Sequence, residues 1–165
     1  METKIDTQKK IRAVKELAPI ILQLREKEKK IVFTNGCFDL IHVGHTRYLK
    51  EARNAGDYLI VAVNSDASVT RLKGSSRPIV PLDERMEVLS AFFFVDFVVS
   101  FDEPDPYNII RQLRPSVLIK GGDWPVDRII GKDLVEADGG TVFTIPEIKG
   151  VSTTTIINRI SRLNA

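Results

Sequence analysis

Cysteine is nearly absent: Cys37 stands alone, so no internal disulfide can form, as expected of a protein in a reducing compartment. Histidine is almost as scarce, with only His42 and His45. No apolar run approaches the roughly 20 residues of a membrane-spanning helix. The longest stretch, Val88–Val99, is broken by Ser90 and Asp96. An excess of one charge is lacking too: 24 Lys and Arg face 22 Asp and Glu, a net of +2. That balance argues against bulk nucleic-acid binding, which needs a strongly basic chain or stripe. The opening METKIDTQKKIRAVKEL carries charges where a signal peptide has an apolar centre. Repeats, low-complexity tracts and Pro/Gly/Ser linkers are missing as well. The expectation is one cytoplasmic globular domain over residues 1–165, with 1–28 an N-terminal helical extension and neither membrane nor nucleic acid as partner.

What is present is enough apolar residue, 43% of 165, for one real core. Short β-branched runs at Ile31–Thr34, Tyr58–Val63, Phe97–Ser100, Val117–Lys120 and Thr141–Ile145 suit buried parallel strands. Helical patterns alternate with them: Thr7–Lys27, Gly44–Ala55, a helix from an Asp83 cap to Ala91, Pro106–Leu113, Asp127–Ala137 and Ser152–Leu163. Lys73–Pro78 (KGSSRP) reads as a loop. The alternation predicts a Rossmann-like, doubly wound α/β sheet of about five parallel strands with helices on both faces. Such sheets bind ligands at the carboxyl ends of their strands.

After the first run comes Asn35-Gly36-Cys37-Phe38-Asp39-Leu40-Ile41-His42-Val43-Gly44-His45. Both histidines fall here, where a strand turns into a helix. Imidazoles one helical turn apart can aim N–H groups at one phosphate. Gly44 removes a side chain from the approach, and the helix N-terminus offers unpaired N–H groups. Nucleotidyl transfer needs such a site, because a phosphate nucleophile requires alignment and charge stabilisation and no general base.

Gly36, Phe38, Asp39, His42, Gly44 and His45 match GxFDxxHxGH, so the chain resembles the cytidylyltransferase-like nucleotidyltransferases. Val63–Asp66, Arg71–Gly74, Arg77-Pro78, Lys120–Asp123 and Gly150–Thr154 extend the likeness to the sugar-phosphate adenylyltransferases, over about Lys30 to Ile160. Among these it is most similar to stand-alone heptose 1-phosphate adenylyltransferases. The resemblance implies transfer of AMP from ATP to D-glycero-β-D-manno-heptose 1-phosphate, giving ADP-heptose for lipopolysaccharide. By it, His42, His45 and Lys73 are catalytic. Asn35, Gly36, Cys37, Phe38, Asp39, Gly44, Asn64, Arg77, Lys120, Gly121, Gly122, Asp123, Ser152 and Thr153 line the nucleotide and phosphate site. Mg²⁺ is expected on the ATP phosphates, without a protein-built metal site; Asp39 is the nearest residue to touch it, through water. A homodimer is expected from the same likeness.

Other readings compete. Glu147-Ile148-Lys149-Gly150 replaces the Arg-Thr-Glu-Gly of glycerol-phosphate cytidylyltransferases, which favours ATP over CTP, whereas Trp124 after Gly-Gly-Asp is a feature of those cytidylyltransferases. A non-catalytic nucleotide sensor would have a degraded motif, and this motif is intact. A zinc pair would need a further ligand. Cys37 lacks a third histidine to act as its base, so a small buried thiol is expected. Arg85 is read as steadying its own helix through Asp83 or Glu84, or as functional.

Overall fold

The computed structural model describes residues 6–122 and 124–163. Five strands form one parallel sheet: β1 (Ile31–Gly36), β2 (Tyr58–Asn64), β3 (Phe97–Phe101), β4 (Val117–Gly121) and β5 (Thr141–Ile145). Their order is β3-β2-β1-β4-β5. The chain therefore winds outward in both directions from β1, as the alternation predicts. Val32 pairs with Leu59 on one side and with Val117 on the other. The order reverses between β1 and β4, so the crevice lies beyond Gly36 and Gly121.

Alternation along the strands divides the core in two. Val32, Val61, Val63, Val98, Val117 and Ile119 bury one face under α2 (Val43–Arg53) and α4 (Leu82–Ser90), through Leu49, Ala52, Met86 and Leu89. Ile31, Phe33, Ile60, Ala62, Val99 and Leu118 bury the other under α1 (Val14–Glu26), α5 (Tyr107–Leu113) and α6 (Lys132–Ala137). α3 (Asp66–Lys73) follows β2, and α7 (Thr153–Leu163) follows β5. Among the described residues, no helix is long and apolar enough to cross a membrane.

Several helix boundaries differ from expectation. Thr7–Lys27 is not one helix: a 3-10 turn at Thr7–Lys10 precedes α1. Between them Ile11 forms a parallel bridge with Val98, and the Arg12 N–H donates to the Val98 carbonyl at 3.0 Å. Pairing with the edge strand β3 wins over helix propensity there. Asp127–Ala137 splits into a 3-10 turn and α6 because Gly131 takes a φ of 88°. Asp83 lies in the first turn of α4, and Pro81 occupies the cap position. No apolar periodicity predicts α3; Ser65 caps it by accepting the Ser68 N–H at 3.0 Å.

Candidate active site

The strand-to-helix turn after β1 places His42 at the cap position of α2 and His45 in its first turn. Their rings stack with centroids 3.9 Å apart, and Phe38 lies against His45 at 5.4 Å. The His42 backbone N–H points at His45 Nδ1, 3.4 Å away, which leaves Nε2 to carry the proton of a neutral ring. Burial, with His42 nearby, pushes the His45 pKa down to about 4. Burial also lowers His42, while the Glu147 carboxylate works the other way. Both imidazoles are thus neutral N–H donors near pH 7. Among the described residues His42 Nδ1 is buried without a hydrogen-bond partner, a cost of roughly 1–3 kcal/mol for such a group. Gly44 has a direct steric reason: a Cβ there would lie 2.9 Å from His42 Cε1 and Nδ1.

The start of α7 docks on this turn. Ser152 Oγ accepts the Thr155 N–H at 3.1 Å, and Thr153 Oγ1 donates to the Leu40 carbonyl at 3.3 Å. Val151 Cγ1 lies 3.6 Å from the Cβ position of Gly44. The N-termini of α2 and α7 therefore converge, each presenting first-turn N–H groups where an anion can sit. The hydroxyls of Ser152 and Thr153 serve the cap and the docking contact, so their backbone is the freer donor.

Asp39 is spent internally. It is 3% exposed, and its carboxylate accepts Arg77 Nε and the N–H groups of Ile79 at 2.8 Å and Val80 at 2.9 Å. Burial pushes its pKa up, but Val80, Arg77 and Ile79 together outweigh this and hold it below the usual carboxylate range. It pins the segment after α3 to the motif and does not fit a metal ligand. Among the described residues, no group of three His, Cys, Asp or Glu side chains could hold a metal ion. Arg77 faces the motif through that same pair.

Arg85, at 0% exposure, does more than steady its helix. It donates to the carbonyls of Val80 and Asn64, both at 2.9 Å, to the Cys37 carbonyl, and to Asp66 Oδ1 at 2.8 Å. It thus ties together the motif, the end of β2 and the start of α3. Its signal in the sequence was position: Arg85 shares the buried stripe of α4 with Leu89. Asn64 is a strut as well, donating its amide to Ser68 Oγ at 3.0 Å.

Across the crevice, Lys120 Nζ donates to Asn35 Oδ1 at 3.3 Å. Gly36 lies under the Phe38 ring, and Gly121 against Tyr48. Gly122 is buried with a φ of 97°, and Glu147 Oε1 stands 3.2 Å from where its Cβ would be. Lys73 ends α3, exposed. Asp123 lies outside the described residues. The motif residues, Lys120 and the α7 start are thus brought together, and Asn64 is turned into the scaffold.

The sequence model of the cytidylyltransferase-like family matches residues 33–159. The bifunctional protein HldE of Geotalea uraniireducens is 50% identical over 155 residues, 94% of this chain and 32% of that protein. HldE of Pseudomonas putida is 50% identical over 149 residues, 90% of this chain and 32% of its own length. The chain thus spans about a third of these relatives. Among solved structures, a lipopolysaccharide core biosynthesis protein from Thermoplasma volcanium superposes with a TM-score of 0.60 at 30% identity, covering 73% of this chain and 98% of that one. A pantoate-beta-alanine ligase from Francisella tularensis shares the fold at 17% identity, with a TM-score of 0.60 and coverage of 94% and 79%. With the paired histidines at the switch point and a family match over most of its length, the chain belongs to the cytidylyltransferase-like nucleotidyltransferases.

Proposed function

We propose that the chain transfers AMP from ATP to D-glycero-β-D-manno-heptose 1-phosphate, forming ADP-heptose and pyrophosphate. The observation that carries the reading is the pair of neutral, stacked imidazoles where the α2 and α7 N-termini converge. An oxygen of the sugar phosphate attacks the α-phosphorus of ATP in line. The new P–O bond forms as the bond to the β-phosphate bridge breaks, and pyrophosphate leaves with that electron pair. The nucleophile is already ionised, so no base is needed. Neutral N–H donors from His42 and His45, with the helix termini, stabilise charge on the α- and β-phosphate oxygens. Mg²⁺ would travel on the triphosphate, and no step here depends on a protein ligand to it. Identity to the HldE proteins and the likeness to the Thermoplasma protein support a sugar phosphate as acceptor. A homodimer belongs to this reading; Phe93, 85% exposed, is the most open aromatic side chain.

The alternative is CTP with glycerol 3-phosphate, favoured by Trp124, 56% exposed beside Gly122. Glu147 argues against it, because an arginine suited to a cytosine carbonyl is replaced by an acceptor-only carboxylate. Pyrophosphate release with each nucleotide and acceptor pair decides. Turnover confined to ATP with the heptose phosphate supports the first reading. Turnover confined to CTP with glycerol 3-phosphate replaces it with the second.

A further inference from the structure

The sheet forks where the crevice begins. β1 pairs with β2 as far as Gly36 opposite Val63, and β4 with β5 as far as Gly121 opposite Ile145. Between β1 and β4 the ladder stops earlier, at Thr34 opposite Ile119. Beyond that rung, Asn35 and Gly36 lead one half of the sheet into the histidine motif, while Lys120 and Gly121 lead the other into the turn at Gly122. Groups from both halves that act on one bound nucleotide keep their geometry only if the width of the fork is fixed.

Tyr48 sits in that fork. Its hydroxyl lies 2.5 Å from Thr34 Oγ1, on the last rung of β1, and donates to the Ile119 carbonyl, on the last rung of β4, at 3.2 Å. A phenol has one proton to give. With that proton on Ile119, the Thr34 hydroxyl is the donor to Tyr48, and the two bonds run in one direction across the fork. The ring edge packs on the start of the turn: a Cβ at Gly121 would lie 3.4 Å from Tyr48 Cε2. Thr34 is fully buried. Burial also raises the Tyr48 pKa, against the smaller opposing effect of the Thr34 hydrogen bond, so the phenol keeps its proton near neutral pH. Tyr48 belongs to α2, three residues after His45 and so on the same side of that helix. The helix that offers the imidazoles is therefore tied to both halves of the sheet through one side chain.

We propose that Tyr48 is a positioning residue for nucleotidyl transfer: by bridging Thr34 and Ile119 across the fork, it sets His42 and His45 against the Lys120–Gly122 turn. It acts through those groups and not on the substrate. The proposal rests on the family's reaction, and not on which sugar phosphate is the acceptor.

Two variants separate positioning from packing. Tyr48→Phe keeps the ring on Gly121 and removes the bridge. It strands the buried Thr34 hydroxyl, so its urea midpoint should fall. Its kcat should drop about tenfold or more, with KM for both substrates within about twofold. Thr34→Val combined with Tyr48→Phe replaces both partners by apolar side chains of similar shape, so most of the midpoint should return. The bridge is still missing, so kcat should stay low. Turnover that returns together with the midpoint would show packing alone and overturn the proposal. A Tyr48→Phe variant with the parent's kcat, or with its loss in KM, would overturn it too. Because the chain has only two histidines, proton NMR follows both imidazoles without turnover. The His45 titration, held low by burial, should move up towards the ordinary value of about 6.5 in both variants; an unmoved titration would also sink the positioning role. A parent protein inert towards heptose 1-phosphate would defeat the sugar reading only, since the imidazole titration still decides for Tyr48.

Discussion

The two ends of the sheet differ in how completely their polar groups are matched. At the amino ends of the strands, charges are matched: Asp138 takes both Arg25 and Arg114, and Arg53 pairs with Asp96 at 2.9 Å. At the carboxyl ends Asp39 and Asp66 are matched by Arg77 and Arg85, yet among the described residues His42 Nδ1 has no partner and Lys120 has no carboxylate within salt-bridge distance. The matched end is scaffold. The unmatched end tolerates polar groups that a substrate must complete, and it does so only because Asp39 and Arg85 brace the loops around it.

Breaking the brace should have the largest effect. Arg85→Met leaves Asp66, half-exposed, and three carbonyls without their donor, and should lower stability by about 2–4 kcal/mol in urea unfolding, mostly from the orphaned carbonyls. A cost below 1 kcal/mol would mean those bonds are incidental. Next come the histidines. His42→Ala and His45→Ala should each lower kcat about 10²–10³-fold, as when a transition-state donor is removed, while both variants still unfold cooperatively in urea. Gly44→Ala should cost roughly tenfold or more in kcat by displacing the His42 ring; a fully active variant would refute the steric account.

The same end should set a pH dependence. His45 has a folded pKa of about 4 against an ordinary 6.5, so the unfolded chain binds more protons in that window. Its contribution to stability is therefore fully present above about 6.5 and lost as pH falls towards about 4, with a slope of at most about 1.4 kcal/mol per pH unit. His45→Gln should flatten that slope in denaturation midpoints measured from pH 4 to 7. Smallest of all, Asp138→Asn at the matched end should barely move the midpoint and leave turnover within about twofold, as for exposed ion pairs.

The strands and the motif were legible because each signal is local. Tyr58–Val63 is a continuous apolar run, and HVGH is four consecutive residues. What escaped was non-local or weakly patterned. The break at Ile11 depends on Val98, far along the chain. α3 is polar over most of its length, with only Ser68 and Val69 buried, so no apolar stripe announces it. Asp39 looked like a metal neighbour because its partners, Arg77 to Val80, lie some 40 residues away. Arg85 pairs with Cys37 and Asp66 for the same reason, and not with its helical neighbours.

The contact from Thr153 to Leu40 spans 113 positions, which has a consequence for the order of folding. Strands β1 to β3 can pair as they emerge during synthesis, because their contacts are comparatively short in sequence. The nucleotide pocket cannot be completed then, since one of its two helix termini is made long after the other. A nascent chain holding only the first half would carry the full histidine motif and half a phosphate cradle, so catalytic competence should arrive late and abruptly, when α7 swings onto a sheet already built.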